Sequence, residues 1–304
     1  MNKLRLSIVV CTYNRADLLL VCLESLVNQD VEPESYEVII VNNNSTDKTL
    51  EVVDRFAKKY PNIRTVQELN QGLSHARNRG WREARGKYVA YIDDDAKATP
   101  DWCKRILNPF STVTPTPAAV GGQIFPYYET LPPVWFCDDF EIRTWGEKSG
   151  FLELPRARQG FSGSNMAFQR SILERFGGFS SMYGIVGGKL RMGEDTEFFN
   201  RIYDEEPKFW YDPAITVYHW TPRRNCTLSY RFIRGYRVGE SVIHMQQRRL
   251  LSEIYAREFI CLFKLICSVP YRILVAKGYK KTEVGRFLQE MGYKCGFLFG
   301  RNLT

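Results

Sequence analysis

The chain has 304 residues, of which 44% are hydrophobic and 14% aromatic, enough to bury a full core in one large domain plus an appendage. Its eight cysteines include no Cys-x-x-Cys pair, which argues against disulfides and structural zinc and predicts a reducing compartment. The net charge of +8 is concentrated after residue 220, where 16 Lys and Arg stand against 5 Asp and Glu.

The sequence starts with MNKLRLSIVV, whose apolar run is too short for the hydrophobic region of a secretory signal peptide. We therefore expect no signal peptide. Together with the cysteine pattern, this predicts a cytoplasmic protein.

Residues 6–100 alternate between strand and helix patterns. Strands are predicted at 6–10, 36–42, 62–66 and 87–92, and helices at 16–29, 49–60 and 73–84. Repeated βα units predict a mostly parallel sheet with helices on both faces. Because ligands bind such sheets at the carboxyl ends of the strands, we expect the segments CTYN, NNNS and DDD to meet in one crevice.

Local signals predict where some elements begin and end. Asn14 is expected to cap the first helix, and Gly86 to close the third at its C-cap. Thr99 and Pro100 suit the N-cap and first position of a helix that continues as DWCKRIL.

The pattern loosens after Pro100. Strands are predicted at 117–125 and 214–220, a loop entering a helix at 160–179, and a helix from residue 193. Residues 126–150 have turn residues and aromatics without a clear period, and we interpret them as a variable insertion near the site.

Three consecutive aspartates, Asp93, Asp94 and Asp95, follow the fourth predicted strand. Adjacent carboxylates repel one another unless a cation or a hydrogen-bonding ligand lies between them. A divalent cation held there would neutralise a departing diphosphate, and Mg²⁺ and Mn²⁺ suit such hard oxygen ligands. A solvated acidic turn is the alternative that the triplet alone leaves open.

Six segments occur in the order of one enzyme family. They are VVCTYNR (9–15), IIVNNNSTDKT (39–49), GLSHARNRG (72–80), YIDDDA (91–96), GSNMAFQRSILERFGGF (163–179) and GEDTEF (193–198). On these segments residues 6–220 resemble the family-2 glycosyltransferases. The resemblance implies an α/β fold of the Rossmann-like GT-A type, a mostly parallel mixed sheet flanked by helices.

The resemblance also implies a nucleotide-sugar site. In the family's Asp-x-Asp pattern, Asp93 is assigned to the ribose and Asp95 to the metal. Asn42 and Asn43 replace two acids that the family usually has, and Asn43 inherits the contact with the base. An amide both donates and accepts, whereas a carboxylate only accepts, so this departure leaves the base open. UDP is our first choice of nucleotide, and GDP and dTDP are the alternatives. Further nucleotide-sugar contacts are expected from Cys11, Thr12, Tyr13 (stacked on the base), Arg77 and Asp94.

Glycosyl transfer needs a base that takes the proton of the attacking hydroxyl. The resemblance assigns this base to Asp195, with Glu194 orienting the acceptor and Gly163, Ser164 and Asn165 in a loop beside the sugars. Acids in a first helical turn also stabilise any helix through its dipole, which is the alternative for both acids. One displacement and one base predict inversion of the anomeric configuration.

Several basic residues near the end of the predicted GT-A domain are also candidates. His219 stands where relatives often have an extra metal or diphosphate contact, and a structural histidine is the alternative. Arg223 and Arg224 are assigned to the diphosphate. Contacts with lipid phosphates are expected from Arg231, Arg234 and Arg237.

The basic tail contains the apolar stretch Phe259–Val275. Lys264, Pro270 and Arg272 interrupt it and would be costly at a bilayer centre. We interpret it as lying on an anionic membrane surface, because basic residues alternate with apolar ones. A helical cap packed on the main domain is the alternative.

The sequence therefore predicts two domains, a GT-A transferase domain at 1–220 and a basic amphipathic helical appendage at 221–304. The expected activity is an inverting, metal-dependent sugar transfer from a nucleotide sugar to a hydroxyl of a glycan or lipid-linked oligosaccharide, at the cytoplasmic face of a membrane. Mg²⁺ or Mn²⁺ is the expected cofactor, and no nucleic acid partner is expected. A sugar nucleotidyltransferase and an inert peripheral membrane-binding protein are the rival hypotheses.

Overall fold

The computed structural model of the protein describes residues 4–153, 160–184, 193–203, 205, 208–245, 258–262, 264–265 and 281–300. The first third of the chain forms the parallel part of one sheet, in the order β3-β2-β1-β4. The strands are β1 (Leu6–Thr12), β2 (Tyr36–Asn42), β3 (Ile63–Gln67) and β4 (Tyr88–Tyr91). The helices between them are α1 (Ala16–Val27), α2 (Thr49–Lys59) and α3 (Leu73–Glu83).

The rest of the sheet is mixed. Its strands are β5 (Ala96–Ala98), β6 (Ala119–Tyr128), β7 (Gly150–Phe151), β8 (Met166–Gln169) and β9 (Phe209–Thr221). They extend the sheet in the order β4-β8-β6-β9-β5, with β7 paired to β9. The helices are α4 (Trp102–Thr112), α5 (Arg170–Phe176), α6 (Glu194–Tyr203), α7 (Leu228–Met245) and α8 (Lys281–Phe299). The predicted α/β mixed sheet flanked by helices is confirmed.

The core consists of two layers, one on each face of the sheet. In β1, Ile8 and Val10 pack on the face covered by α1, α2 and α4, while Val9 faces the layer of α3, α5 and α6. Successive strand side chains point to opposite faces, so a strand covered on both faces is apolar throughout. This explains the uninterrupted apolar runs IVV in β1 and VIIV in β2.

Three local predictions are wrong. Gly86 is not the C-cap of α3, since α3 ends at Glu83 and its C-cap is Ala84. A Cβ at Gly86 would lie 2.7 Å from the Ser7 nitrogen, so glycine allows the chain to pass close to β1. The N-cap of α4 is Asp101, not Thr99. Residues 166–169, predicted as part of a loop entering a helix, form the antiparallel strand β8 between β4 and β6.

Helices α7 and α8 pack against each other through glycines. Gly235 and Gly239 lie on α7, and Gly292 and Gly296 on α8. A Cβ at any of the four would lie 1.8 to 2.1 Å from a backbone carbonyl oxygen of the opposite helix. The two backbones therefore approach more closely than side chains would permit, as in Gly-x-x-x-Gly helix pairs.

Part of the predicted insertion at 126–150 packs on this helix pair, while its two ends belong to β6 and β7. Thr282 Oγ1 on α8 donates a hydrogen bond of 2.6 Å to the Trp135 carbonyl oxygen. Arg286 forms an ion pair of 3.0 Å with Asp139. The insertion thus connects the sheet to the C-terminal helices.

Arg231 is completely buried and does not reach a lipid phosphate, so that prediction is wrong. Its Nη2 donates to Glu141 Oε1 at 2.5 Å, and Arg234 lies 3.6 Å from the same carboxylate. Burial would raise the pKa of Glu141, but the charges of Arg234 and Arg231 outweigh it and lower the pKa. Arg237 pairs with Glu240 at 2.8 Å, and lipid contacts of Arg234 and Arg237 stay predictions.

Within the apolar stretch Phe259–Val275, the structure describes residues 259–262, 264 and 265. The rest of this stretch lies outside the described residues. In the described part of the chain, no helix combines the length and the apolar character needed to cross a bilayer.

Candidate active site

The register of the parallel strands brings the three polar segments to one edge of the sheet. Thr12 lies opposite Asn42, and the Asn43 amide donates 2.9 Å to the Thr12 carbonyl oxygen. Strand β4 ends at Tyr91 beside β1, so the aspartate triplet leaves the sheet at the same edge. The three segments therefore meet at one edge of the sheet, as the sequence predicts.

Two of the aspartates face His219. One oxygen each of Asp93 and Asp95 and one imidazole nitrogen of His219 lie within 4.8 Å of one another. The His219 Nε2 atom is 3.2 Å from Asp95 Oδ1 and 3.6 Å from Asp93 Oδ2. Strand pairing fixes this arrangement, because Ala96 lies opposite His219 and the Trp220 amide donates 2.8 Å to the Asp95 carbonyl oxygen.

These residues fit a divalent cation. Asp95 Oδ1 is buried and makes no hydrogen bond in the described structure, and a buried carboxylate oxygen without a partner is costly. Two carboxylate oxygens and one imidazole nitrogen form a donor set that suits Mn²⁺ and also Mg²⁺. Asp95 Oδ1, which lies 3.2 Å from His219 Nε2 and makes no hydrogen bond among the described residues, therefore faces the place where a cation would bind.

Cationic side chains compensate the crowded carboxylates. Burial disfavours the charged form of His219, but Asp95 and Asp93 outweigh it and raise the pKa to about 9. Burial would likewise raise the pKa of Asp93, but His219 and Arg77 hold it below its usual range. Metal binding needs a neutral imidazole, so it would release the proton of His219.

The middle aspartate points away from this cluster, toward a residue that the sequence predictions did not assign. Arg15 Nη1 lies 3.1 Å from Asp94 Oδ1 and 2.5 Å from Asp95 Oδ2. Burial raises the pKa of Asp94 to about 7 against the lowering effect of Arg15. A basic residue just beyond β1, at the same edge as the triplet, was the sequence signal for this pair.

Arg77 lies buried between acids from two different segments. Its Nη1 is 2.5 Å from Glu194 Oε1 and its Nη2 is 3.3 Å from Asp93 Oδ1. A Cβ on Gly163 would lie 1.9 Å from Nη2, so glycine at that position leaves room for the guanidinium. Burial would lower the pKa of Arg77, but Glu194 and Asp93 outweigh it and raise the pKa.

Asp195 lies in the first turn of α6, beside the loop of Gly163. Its Oδ2 accepts from the Gly163 amide at 3.1 Å, and its Oδ1 accepts from the Thr196 amide at 2.7 Å. The carboxylate is only partly buried. It can therefore be reached by an acceptor, while two amides hold its orientation.

The other loop residues are more enclosed. Ser164 is buried, and its hydroxyl is among the groups that lower the pKa of Asp93. The Asn165 side chain is 0% exposed. Its Nδ2 donates to the carbonyl oxygens of Gln123 and Ile215, and its Oδ1 accepts from the indole nitrogen of Trp102, each at 2.9 Å. Asn165 therefore anchors the loop and offers no group to a sugar.

The residues assigned to the base lie at the same edge. Tyr13 is 41% exposed, as a stacking platform requires. The Asn43 side chain donates to the Glu68 and Asn70 carbonyl oxygens and accepts from the Gly72 amide, at 2.7 to 2.9 Å. A contact between Asn43 and the base would have to replace one of these bonds, so this assignment stays a prediction.

Asn14 does not cap α1 as predicted. It adopts a left-handed conformation with φ of 53°, and its Oδ1 accepts from the Thr46 amide at 2.7 Å. Asp47 Oδ2 instead accepts from the Ala16 amide at the start of α1, at 3.3 Å.

Burial raises the pKa of the Cys11 thiol, which agrees with an unreactive cysteine.

Arg223 and Arg224 lie in the 3₁₀ turn Arg223–Cys226, directly after β9 and four residues beyond His219. Both are exposed. Among the described residues, neither guanidinium forms an ion pair, and the Arg223 amide donates 2.8 Å to Glu129 Oε2. Their contact with a diphosphate stays a prediction.

Comparisons with known proteins identify the family of the chain. The model of the family "Glycosyl transferase family 2" matches residues 7–177. The glucosyl-dolichyl phosphate glucuronosyltransferase of Haloferax volcanii is 29% identical over 204 residues, covering 66% of this chain and 64% of that protein, less than two thirds of its length.

Among solved structures, the mannosyltransferase PcManGT from Pyrobaculum calidifontis, in complex with GDP-Man and Mn²⁺, has a TM-score of 0.66 at 22% identity and covers 98% of this chain and 88% of its own. TarS 1-349 of S. aureus, in complex with UDP-GlcNAc, has a TM-score of 0.55 at 16% identity and covers 96% and 72%. At these identities the likeness concerns the fold, which is the GT-A fold.

Proposed function

Since the chain belongs to glycosyl transferase family 2, we propose that it transfers a sugar, with inversion, from a nucleoside diphosphate sugar to a hydroxyl of a glycan or lipid-linked acceptor. One observation supports this most directly. The buried Asp95 Oδ1 has no hydrogen-bond partner among the described residues and faces His219 and Asp93, at the edge where the nucleotide segments meet. A cation site beside a nucleotide site is what such a transfer requires.

Asp93, Asp95 and His219 would hold Mn²⁺ or Mg²⁺, which when bound neutralises charge on the departing diphosphate. Arg77 orients Asp93 and Glu194 through its two ion pairs. Arg223 and Arg224, exposed just beyond β9, supply positive charge to the diphosphate.

Asp195 serves as the general base. As the acceptor oxygen attacks the anomeric carbon, its proton passes to the Asp195 carboxylate and the bond from that carbon to the diphosphate oxygen breaks. The Gly163 and Thr196 amides keep the carboxylate oriented. A single displacement from the face opposite the diphosphate inverts the anomeric centre.

UDP is our first choice of donor nucleotide. Its base would bind at Tyr13 and the segment around Asn43. The mannosyltransferase structure contains GDP-Man and TarS contains UDP-GlcNAc, so the fold accommodates either nucleotide. A lipid-linked acceptor is supported by the named activity of the Haloferax relative and by the basic tail.

Asp195→Asn tests the assignment of the base. We expect sugar transfer to fall by about 10² to 10⁴-fold, the usual contribution of a general base, with unchanged donor affinity in calorimetry. Glu197→Gln is the matched control, because Glu197 lies on the same helix but pairs with Arg201 at 2.9 Å. Full transfer by Asp195→Asn would show that another group is the base.

A further inference from the structure

Arg15 has no role in the function proposed above, yet it contacts two of the three aspartates. We propose that Arg15 is a positioning residue of the cation site, holding Asp95 so that a single oxygen, Oδ1, faces the cation. This inference rests on the proposed function of the cluster formed by Asp93, Asp95 and His219. It adds a residue to that site from outside the group of metal-ligating side chains.

The two oxygens of Asp95 have different environments. Oδ2 accepts from Arg15 Nη1 at 2.5 Å. Oδ1 makes no hydrogen bond within the described structure and lies 3.2 Å from His219 Nε2. Because a carboxylate is planar, a bond at Oδ2 fixes the direction in which Oδ1 points. Arg15 thereby leaves one oxygen for the cation.

The backbone of Asp95 is fixed as well. Its carbonyl oxygen accepts from the Trp220 amide at 2.8 Å and from the Tyr127 hydroxyl at 3.3 Å. Arg15 is held in turn, since its amide donates 3.3 Å to Thr49 Oγ1 at the start of α2. The side-chain torsion of Asp95 is thus the remaining freedom, and the guanidinium restrains it.

Arg15 also separates Asp95 from its neighbour. The same nitrogen, Nη1, lies 3.1 Å from Asp94 Oδ1, so one positive charge serves two buried carboxylates. Without it, repulsion between Asp94 and Asp95 would favour other rotamers of Asp95. Such a change would weaken a cation site that needs an oriented ligand.

The alternative hypothesis is that the Arg15 guanidinium occupies the place of the metal cation and competes with it. The geometry argues against it, because Arg15 bonds Oδ2 whereas the potential ligand atom is Oδ1. The two roles also predict opposite results. Loss of a competing cation would tighten Mn²⁺ binding, whereas loss of a positioning residue would weaken it.

The experiment is a titration of Mn²⁺ into the full chain, followed by the electron paramagnetic resonance signal of free Mn²⁺, with and without UDP. We expect Arg15→Gln to weaken Mn²⁺ binding by about 10 to 100-fold, as loss of residues behind a metal ligand typically does. Arg15→Lys should restore part of the affinity, because a single nitrogen makes both contacts. The control Arg105→Gln removes a half-exposed arginine of α4 that pairs with Asp101, and this variant should bind Mn²⁺ as the wild type does.

Unchanged or tighter Mn²⁺ binding by folded Arg15→Gln would overturn the proposal. If that variant does not fold, the double variant Arg15→Gln with Asp94→Asn is used instead. It removes the guanidinium of Arg15 together with the repulsion between Asp94 and Asp95. This double variant should still bind Mn²⁺ more weakly, and wild-type affinity would again overturn the role of Arg15. A wild-type protein that ignores Mn²⁺, with and without UDP, would overturn the cation site itself and with it this inference.

Discussion

Arg77 on α3 and Glu194 on α6 form a buried ion pair that connects two helices at the active site. The pair is 2.5 Å long, and both residues are buried. Removing one partner of such a pair leaves an uncompensated charge inside the protein, which costs more than losing an exposed pair. Arg77 therefore contributes to the stability of the site as well as to its charge.

Arg77→Met should destabilise the protein by about 3 to 5 kcal/mol, measured by urea unfolding, because Glu194 loses its buried partner. Adding Glu194→Gln should restore part of the loss. The control Arg79→Met removes a half-exposed arginine paired with Glu83 and should cost at most about 1 kcal/mol. An Arg77→Met variant as stable as this control would contradict the account.

At the residue scale, the sequence predicted the acids of the site better than their partners. Asp93 and Asp95 follow an apolar strand, so strand periodicity and the strand-end rule place them without a structure. Arg77 and Glu194 are 117 positions apart, and no local pattern records that they pair. Residue type alone does not distinguish Arg15, which lies at the site, from Arg231, which is buried inside the protein.

At the element scale, the pairing of β5 with β9 is what builds the cation site. Ala96–Ala98 is only three residues long, too short for any periodicity, and it was not predicted. β8 was missed because four residues between a polar loop and a helix carry no strand signal of their own. Strands β1, β2 and β4 were predicted because they are covered on both faces and therefore mostly apolar.

The crossing of α7 and α8 is tested by Gly239→Ala. Alanine favours a helix over glycine by about 1 kcal/mol, so the substitution would stabilise an isolated α7. Here the added Cβ would lie 2.0 Å from the Tyr293 carbonyl oxygen. We expect a net loss of about 1 to 3 kcal/mol from overpacking, measured as a fall in melting temperature.

The control for this test is Gly150→Ala, where no heavy atom outside the neighbouring residues lies within 4 Å of the added Cβ. It should leave the melting temperature unchanged within about 0.5 kcal/mol of stability. A Gly239→Ala protein more stable than the wild type would show that the two helices are not in close contact.

At the scale of the whole molecule, charge is divided along the chain. Residues 221–304 carry 16 Lys and Arg against 5 Asp and Glu. They begin at the end of β9, the last described strand along the chain. Phe259 and Ile260 in this part are 57% and 53% exposed, while Leu262 and Leu265 are buried. An exposed apolar face in a basic segment favours contact with an anionic membrane surface, which stays a proposal.

Vesicle sedimentation tests that proposal. The full chain should sediment with vesicles containing an anionic lipid, and less so at high salt. Phe259→Asp with Ile260→Asp should weaken binding by about tenfold or more, because each apolar side chain contributes about 1.5 to 3 kcal/mol when fully buried. Leu50→Asp, a half-exposed position on α2, is the control. Equal binding by all three proteins would place the membrane contact elsewhere.

The most direct test of the account is the melting temperature of the wild type and Asp95→Asn with UDP, GDP and dTDP sugars, each with and without Mn²⁺. A ligand at 100 times its dissociation constant stabilises a protein by about 2.7 kcal/mol. We predict that at least one nucleotide sugar raises the melting temperature of the wild type, that Mn²⁺ enlarges this rise, and that Asp95→Asn loses the Mn²⁺-dependent part. A wild type whose melting temperature responds to no nucleotide sugar in the presence of Mn²⁺ would contradict it.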